Sequence, residues 1–206
     1  MVRVKICGIT CLPDALMCLK AGADALGFVF YKKSKRYISP VKAKTISKKM
    51  LPFTYRVGLF VNEKPETIIQ IARLVSLEAI QLHGDETPSV CERLSQYYTV
   101  IKAFPVSESG DVKKIFLYKN TTFLFDTRTP GFGGSGKSFP WDILIPFRKK
   151  LGDFILSGGL DLQNITQAID KLNPYAVDVS SGVERSPGKK DKNKVEQFIK
   201  KAKGLL

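Results

Sequence analysis

Residues 2–8 read Val2-Arg3-Val4-Lys5-Ile6-Cys7-Gly8, and this stretch carries the pattern that decides the fold. Alternate side chains of a β-strand point to opposite faces, so the three apolar residues share one face and Arg3, Lys5 and Cys7 share the other. A strand of a closed barrel packs its outer face against helices. The apolar set is therefore predicted to face outward, with Cys7 at the inner rim and Lys5 one layer deeper.

The same kind of run recurs along the chain, and each run precedes a longer segment with helical periodicity. Such alternation predicts parallel strands joined by crossover helices. Predicted strands are Val2 to Gly8, Ala25 to Phe30, Tyr55 to Val61, Ala79 to Leu82, Thr99 to Phe104, Thr122 to Asp126, Phe154 to Ser157 and Ala176 to Val179. Predicted helices begin near Pro13, Ser39, Pro65, Thr87, Asp111, Trp141, Leu162 and Asp191.

Eight βα units with few long loops favour a closed barrel over an open doubly wound sheet. The predicted fold is an α/β, single-domain (β/α)8 TIM barrel that takes in residues 1–206. One glycine-rich stretch, residues 127–140, follows the sixth strand and is predicted to be a functional loop on the catalytic face.

The composition is that of an ordinary globular protein, with 44% hydrophobic and 25% charged residues. No apolar run is long enough for a membrane span, and the start of the chain lacks the apolar core of a signal peptide. Four cysteines without a CxxC pair are expected to be free thiols in a reducing cytoplasm. A single histidine, His83, argues against a zinc site, so no metal is expected.

The net charge of +14 raises the question of a nucleic-acid partner. The basic residues are scattered in short groups without the interleaved aromatic residues of a single-strand binder, so no nucleic-acid partner is expected. A positive field also steers small anionic substrates toward a cleft.

Two residues at predicted strand ends are candidates for acid and base chemistry. Cys7 is a candidate nucleophile or base, although cysteine is also a common buried hydrophobe. Asp126 directly follows an apolar strand, where a helix cap or a loop salt bridge is the competing interpretation. Asp178 interrupts the last strand and needs a partner if buried. We therefore predict an inward ion network of Lys5, Asp126 and Asp178.

Other candidates fit substrate binding. Small residues after the seventh and eighth strands let backbone amides approach a phosphate, and barrels often bind phosphate at these two loops. A guanidinium after the second strand, Arg36, suits a carboxylate, and Gln81 and His83 share a face at the end of the fourth strand. The predicted phosphate-binding residues are Ser157, Gly158, Gly159, Ser180, Ser181 and Gly182.

Seven motifs together closely resemble the phosphoribosylanthranilate isomerase family over nearly the whole chain. Pro187-Gly188-Lys189-Lys190-Asp191 continues the resemblance into the last helix. The motifs are Lys5-Ile6-Cys7-Gly8-Ile9-Thr10, Gly27-Phe28-Val29-Phe30, Ser34-Lys35-Arg36-Tyr37-Ile38, Gln81-Leu82-His83-Gly84, Gly133-Gly134-Ser135-Gly136, Leu156-Ser157-Gly158-Gly159-Leu160 and Val177-Asp178-Val179-Ser180-Ser181-Gly182-Val183-Glu184.

The resemblance implies a cofactor-free intramolecular oxidoreductase of the aldose–ketose type in tryptophan biosynthesis. N-(5-phosphoribosyl)anthranilate would become 1-(2-carboxyphenylamino)-1-deoxyribulose 5-phosphate by an Amadori rearrangement. By similarity, Asp126 is the general acid and Cys7 the general base, with a thiol pKa lowered by nearby cations such as Lys5. The resemblance also places the substrate carboxylate on Arg36, its phosphate on the two glycine loops, and Asp178 near the sugar.

Related barrels with phosphate loops are the main alternatives, because one fold supports many chemistries. An indole-glycerol-phosphate synthase would need a lysine acid and glutamates that the sequence does not place. A ribulose-phosphate epimerase would need metal-binding histidines, which one histidine cannot supply. A basic nucleic-acid-binding barrel is the alternative from another class. The sequence predicts a small phosphorylated substrate, no membrane partner, and either a monomer or a homodimer.

Overall fold

The computed structural model describes residues 1–127 and 138–205, and its strands close into one parallel barrel in the order β1 to β8. The barrel closes because β1 pairs with β8 as well as with β2. The strands are β1 Arg3–Cys7, β2 Ala25–Val29, β3 Tyr55–Phe60, β4 Ala79–Leu82, β5 Thr99–Val106, β6 Thr122–Thr127, β7 Phe154–Leu156 and β8 Ala176–Val179. All eight predicted strands and the predicted TIM barrel are confirmed.

Helices follow the strands, as predicted. They are α1 Leu12–Lys20, α2 Pro40–Ser47, α3 Pro65–Val75, α4 Pro88–Ser95, α5 Ser109–Lys113, α6 Arg148–Leu151, α7 Ile165–Leu172 and α8 Lys192–Ala202. Proline occupies the first turn of the first four helices, where its missing N–H has no intrahelical acceptor to lose. Ser39 and Asp191 cap α2 and α8 by accepting hydrogen bonds from Lys42 and Lys194.

The prediction of an α-helix beginning at Trp141 is wrong in type. Residues Trp141–Phe147 form a 3-10 helix, and only the last turn, α6, is α-helical. Pro146 lies inside this segment and cannot donate the hydrogen bond that an α-helix would need there. Two other 3-10 turns, Lys114–Leu117 and Ser181–Val183, follow α5 and β8.

The core has two layers, as the alternation in β1 predicts. Val4 and Ile6 are fully buried in the layer between the strands and the surrounding helices. The barrel interior is a smaller cluster built mainly of short side chains: Val57, Ala79, Ile101, Ala103, Leu124, Ile155 and Ala176. These side chains lie at the starts and in the middle of their strands, so the cluster stops short of the carboxyl ends, where barrels carry their sites.

One small element was not predicted. After the 3-10 turn of residues 181–183, the short strands β9 Glu184–Ser186 and β10 Lys189–Lys190 pair as an antiparallel hairpin. The hairpin places Glu184 and Lys190, both buried, beside the carboxyl end of the barrel. None of the helices among the described residues is both long enough and apolar enough to cross a membrane.

Candidate active site

A cleft opens at the carboxyl ends of the barrel strands and encloses about 800 Å³, part of it open to solvent at the mouth. Nearly all of the site residues predicted from sequence line it: Cys7, Arg36, Gln81, His83, Asp126, Ser157, Gly158, Gly159, Asp178, Ser180 and Ser181. Two predicted residues do not. Lys5 lies deeper in the barrel, and Gly182 packs against the neighbouring loop.

Cys7 ends β1 and is 5% exposed at the floor of the cleft. Its neighbour across the sheet is Gly27 of β2. A Cβ on Gly27 would lie 2.7 Å from the Cys7 sulfur and 3.2 Å from Cε of Lys5. Glycine is therefore required at position 27 because the thiol and the lysine stem fill the space that a side chain would occupy.

Lys5 and Asp178 form a buried ion pair beside Cys7, with 2.8 Å between Nζ and Oδ1. The two residues are register partners on β1 and β8, so closure of the barrel brings them together. Burial opposes the charge on Lys5, but Asp178 and Cys7 outweigh it and raise the pKa of Lys5. This confirms the Lys5–Asp178 part of the predicted network.

Asp126, the third member of that predicted network, has other partners. It ends the apolar run of β6, where its Oδ1 accepts a hydrogen bond of 2.7 Å from the backbone N–H of Thr127. Its Oδ2 lies 3.3 Å from Nε2 of His83, just beyond ordinary hydrogen-bonding distance. The predicted contact between Lys5 and Asp126 is wrong, since β6 lies across the barrel from β1.

The chain's single histidine is held by Gln81 from the same strand end. Nε2 of Gln81 lies 3.0 Å from Nδ1 of His83. An amide nitrogen can only donate, so Nδ1 accepts and the imidazole proton resides on Nε2, the atom that faces Asp126. The Oε1 of Gln81 is buried and has no hydrogen-bond partner within the described ranges, which leaves an unused hydrogen-bond acceptor in the wall of the cleft.

The two predicted phosphate loops meet at one side of the cleft. Gly158 and Gly159 have positive φ angles of 83° and 64°, which leave their backbone free of side chains toward the cleft. A Cβ on Gly158 would lie 2.6 Å from the backbone nitrogen of Thr127, and one on Gly182 would overlap the carbonyl oxygen of Leu160. Glycine thus lets the β7 and β8 loops pack closely against each other and beside Asp126.

Arg36 enters the cleft from the loop after β2, but it is not a free guanidinium. Nη2 and Nε donate to the Glu184 carboxylate at 2.7 Å and 3.0 Å. Glu184 also accepts from Nζ of Lys190 at 2.9 Å. A Cβ on Gly8 would lie 2.6 Å from Cδ of Arg36, so the tight turn after β1 makes room for the arginine stem.

The comparisons with known proteins agree on one family. The sequence profile described as N-(5'phosphoribosyl)anthranilate (PRA) isomerase matches residues 4–201. The chain belongs to this isomerase family. The N-(5'-phosphoribosyl)anthranilate isomerase of Thermotoga neapolitana is 56% identical over 205 residues, with all of both chains covered.

Two solved structures of family isomerases match over 100% of both chains. One is a structure of phosphoribosylanthranilate isomerase in complex with reduced 1-(o-carboxyphenylamino)-1-deoxyribulose 5-phosphate, with a TM-score of 0.92 and 50% identity. The other shows monomers of the dimeric isomerase from Thermotoga maritima, with a TM-score of 0.91 and 49% identity.

A base role for Cys7 would require an ionisable thiol, yet the free protein does not lower the pKa of Cys7. Burial raises the pKa of Cys7, and the lowering effect of Lys5 and Lys190 does not overcome it. Lys5 lowers the pKa of Cys7, as expected. The expectation that this pKa is lowered overall is wrong, because burial raises it by more.

This shift has a direct test. We expect Cys7 of the folded protein to react with iodoacetamide with a pH midpoint above that of the urea-unfolded chain, because only the thiolate is alkylated. Peptide mapping by mass spectrometry follows Cys7 separately from the other cysteines. A midpoint equal to or below that of the unfolded chain would mean that Lys5 and Lys190, not burial, determine the pKa of the Cys7 thiol.

Some residues of the isomerase site were not recognised from the sequence. Glu184 and Lys190 belong to two of the motifs above, but those motifs assign them no role, and nothing else in the sequence predicts their hairpin. Seven further residues line the cleft, mostly apolar strand ends indistinguishable from core: Val29, Tyr31, Ser34, Leu59, Val61, Leu160 and Val179. The motif Gly133–Gly136 lies outside the described residues.

The other cysteines, Cys11, Cys18 and Cys91, are unpaired and none of them lines the cleft. No group of three or more His, Cys, Asp or Glu side chains within residues 1–127 and 138–205 is arranged to hold a metal ion.

Proposed function

We propose that this chain converts N-(5-phosphoribosyl)anthranilate to 1-(2-carboxyphenylamino)-1-deoxyribulose 5-phosphate, with Asp126 as general acid and Cys7 as general base. The observation that carries these roles is that the thiol and the carboxyl line one cleft, at the ends of β1 and β6, beside the two glycine loops. Acid and base chemistry in one water-restricted site is what an aldose–ketose isomerisation requires.

The reaction is an internal transfer of oxidation level, so it needs no external oxidant or reductant. Asp126 gives a proton to the furanose ring oxygen as the C1–O bond breaks, and the nitrogen lone pair forms a protonated Schiff base at C1. The Cys7 thiolate then takes the C2 proton. The electrons of that C–H bond form the C1–C2 double bond and neutralise the iminium nitrogen, which gives an enolamine that tautomerises to the ketone.

The substrate carries two anionic groups, and the cleft has a place for each. Backbone amides after β7 and β8, with Ser157 and Ser181, suit the phosphate. Arg36, which enters from the loop after β2, suits the carboxylate. Apolar Val29 and Leu59 line the wall on which the aromatic ring would pack, and Asp178, held by Lys5, faces the space left for the sugar.

Gln81 and His83 complete the proposed substrate-binding set. The unpartnered Oε1 of Gln81 suits a hydroxyl or N–H of the substrate. His83 lies between Gln81 and Asp126, so a substrate that contacts the amide also affects the orientation of the acid.

The direct test is a fluorescence assay of phosphoribosylanthranilate generated in place from anthranilate and phosphoribosyl pyrophosphate. We expect its fluorescence to fall on addition of the purified protein, with one equivalent of the ketose product found by chromatography. Loss of fluorescence through hydrolysis to anthranilate, or no loss beyond the spontaneous rate, would contradict the proposal.

We also propose that the chain forms a homodimer through the amino-terminal end of the barrel and works in the cytoplasm. Large apolar side chains cluster at the starts of β3 and β5: Leu51, Phe53, Tyr55 and Tyr97 are 40% or more exposed. The Phe53 side chain is fully exposed, and its backbone has a positive φ of 64°. Contiguous exposed apolar surface favours an interface. In a two-fold dimer the same patch of both subunits lies in the interface, so each of these residues would be buried in both copies.

The dimer is tested by Phe53→Asp. Burying one phenylalanine is worth about 1.5–3 kcal/mol, so loss of two per dimer should weaken association about 10²-fold or more. Analytical ultracentrifugation measures this, with Phe116→Asp, an exposed residue after α5, as the matched control. Activity per chain should stay within a few-fold, because the cleft lies at the opposite end of the barrel. A Phe53→Asp protein that sediments like the parent would rule out this face.

A further inference from the structure

Lys190 is a buried cation that contacts three parts of the site at once. Its ammonium group has no solvent exposure and donates to the carbonyl oxygen of Cys7 at 2.5 Å, the Glu184 carboxylate at 2.9 Å and the carbonyl oxygen of Ser180 at 3.3 Å. Its backbone N–H is fixed by Asp14 at 3.0 Å. The ammonium therefore ties the Glu184 carboxylate to the backbone at the end of β1 and just after β8.

Glu184 lies between two cations. Arg36 contacts it with two nitrogen atoms, and Lys190 donates to its Oε1, which also accepts from the backbone N–H of Gly188 at 3.2 Å. Burial opposes ionisation of Glu184, but the two cations outweigh it and lower the pKa of this carboxyl group. The carboxylate is charged at neutral pH.

The charges of these three side chains do not cancel. Arg36 and Lys190 contribute two positive charges and Glu184 one negative charge, which leaves one net positive charge. Only Arg36 reaches the cleft, where its side chain is 16% exposed, while Glu184 and Lys190 are 4% and 0% exposed. Two flanking charges of opposite sign offset each other, because Asp14 accepts from the Lys190 N–H and Lys194 donates to the Glu184 carbonyl oxygen. A buried net charge is costly unless a counterion approaches it, and Arg36 opens to the cleft, from which a further anion can come.

We propose that Lys190 sets the specificity of the site for an aryl carboxylate, because it gives the Arg36–Glu184–Lys190 cluster one positive charge in excess of neutrality. Without Lys190, Arg36 would be fully compensated by Glu184 and would have no electrostatic reason to prefer a carboxylated ring over a plain one. The inference rests on the proposed function for the identity of the carboxylate. Lys190 touches no substrate and is a positioning residue.

The test compares two ligands, the reduced product analogue with its 2-carboxyphenyl group and the same compound with a plain phenyl group. Their affinity ratio, measured by calorimetry, isolates the carboxylate, since the phosphate and sugar are shared. Lys190→Met should lower the ratio about tenfold, the order expected for one charge acting over several ångströms of protein. Lys190→Arg should retain most of the ratio.

The charge count also predicts the other variants. Glu184→Gln raises the net charge of the cluster to two, so the ratio should rise. The double variant Lys190→Met, Glu184→Gln returns it to one, so the ratio should return toward the parent value. A purely structural role of Lys190 predicts a different pattern. Both ligands would then lose affinity equally, and the double variant would bind them no better than the single variants do.

The double variant also answers the possibility that Lys190→Met fails to fold, because removing both charges together leaves no buried carboxylate that has lost one of its partners. If the variants fold and their affinity ratios do not follow the net charge of the cluster, the inference is overturned. Failure of the proposed function would look different. In that case the protein would not turn over phosphoribosylanthranilate, yet the ratio could still follow the charge of the cluster.

Discussion

Cys7→Ser is expected to lower kcat by about 10²–10⁴-fold, the range that a positioned general base contributes. Serine fits the space beside Gly27, but its hydroxyl is far too weak an acid to form the anion at neutral pH that removes the C2 proton. The same fluorescence assay measures the loss. KM should change little, because the phosphate loops and Arg36, which bind the two anionic groups, remain in place.

The control for this variant is Cys11→Ser. Cys11 is half-buried at the N-cap of α1 and does not line the cleft, and serine is a favourable N-cap residue. It should keep full activity and stability. A Cys7→Ser protein with more than a tenth of the parent kcat would mean that Cys7 is only the buried hydrophobe that the sequence alone also allowed.

The loss should also depend on pH. Burial raises the pKa of Cys7 in the free protein, so kcat/KM should rise with pH as the thiol loses its proton. Cys7→Ser should abolish that rise and leave a small, flatter activity. Loss of the pH dependence together with loss of rate would identify the base, whereas rate loss alone could come from misplacement of the substrate.

The sequence was sufficient for the barrel because hydrophobic periodicity is local. Each strand of this barrel is short and has apolar residues on at least one face, and each following helix begins at or within a few residues of Pro, Ser, Thr or Asp. Both element type and order can therefore be read without knowing any distant contact. The exception, residues 141–147, has the composition of a helix but carries Pro146 inside it. There a single missing N–H decides the hydrogen-bond pattern.

The site was only partly predictable, since pairing across the barrel depends on closure. Lys5 and Asp178 are 173 residues apart, and only the β1–β8 pairing makes them neighbours. The sequence could not distinguish Asp126 from Asp178 as partner of Lys5, because both are carboxylates at strand ends. Strand order decides the matter.

The hairpin of residues 184–190 illustrates a different limit. Its two strands are only three and two residues long and are rich in charge, so they resemble a solvated loop. Glu184 and Lys190 are nevertheless buried, because each compensates the other and Arg36. A sequence pattern predicts burial residue by residue. The burial of Glu184 and Lys190 depends instead on contacts among three charged residues from two loops.

Asp126→Asn is the second variant for which a loss of about 10²–10⁴-fold in kcat is expected. An amide cannot deliver a proton to the ring oxygen, so the furanose would have to open without acid assistance. The same substitution at Asp142, an exposed residue paired with Lys171, is the matched control and should be silent. Near-parent activity of Asp126→Asn would remove Asp126 from the acid role.

The Asp126→Asn variant has a second, independent readout in His83, because the protein has a single histidine and its imidazole nitrogens give one unambiguous pair of NMR signals. In the parent, Gln81 donates to Nδ1, so the proton should be on Nε2. The introduced amide must keep its oxygen toward the Thr127 N–H, which turns its NH2 group toward Nε2. Two donors then face each other, and the tautomer population should shift toward Nδ1–H. An unchanged Nε2–H tautomer in Asp126→Asn would show that the 3.3 Å approach of His83 to Asp126 carries no interaction, and that the acid is oriented by Thr127 alone.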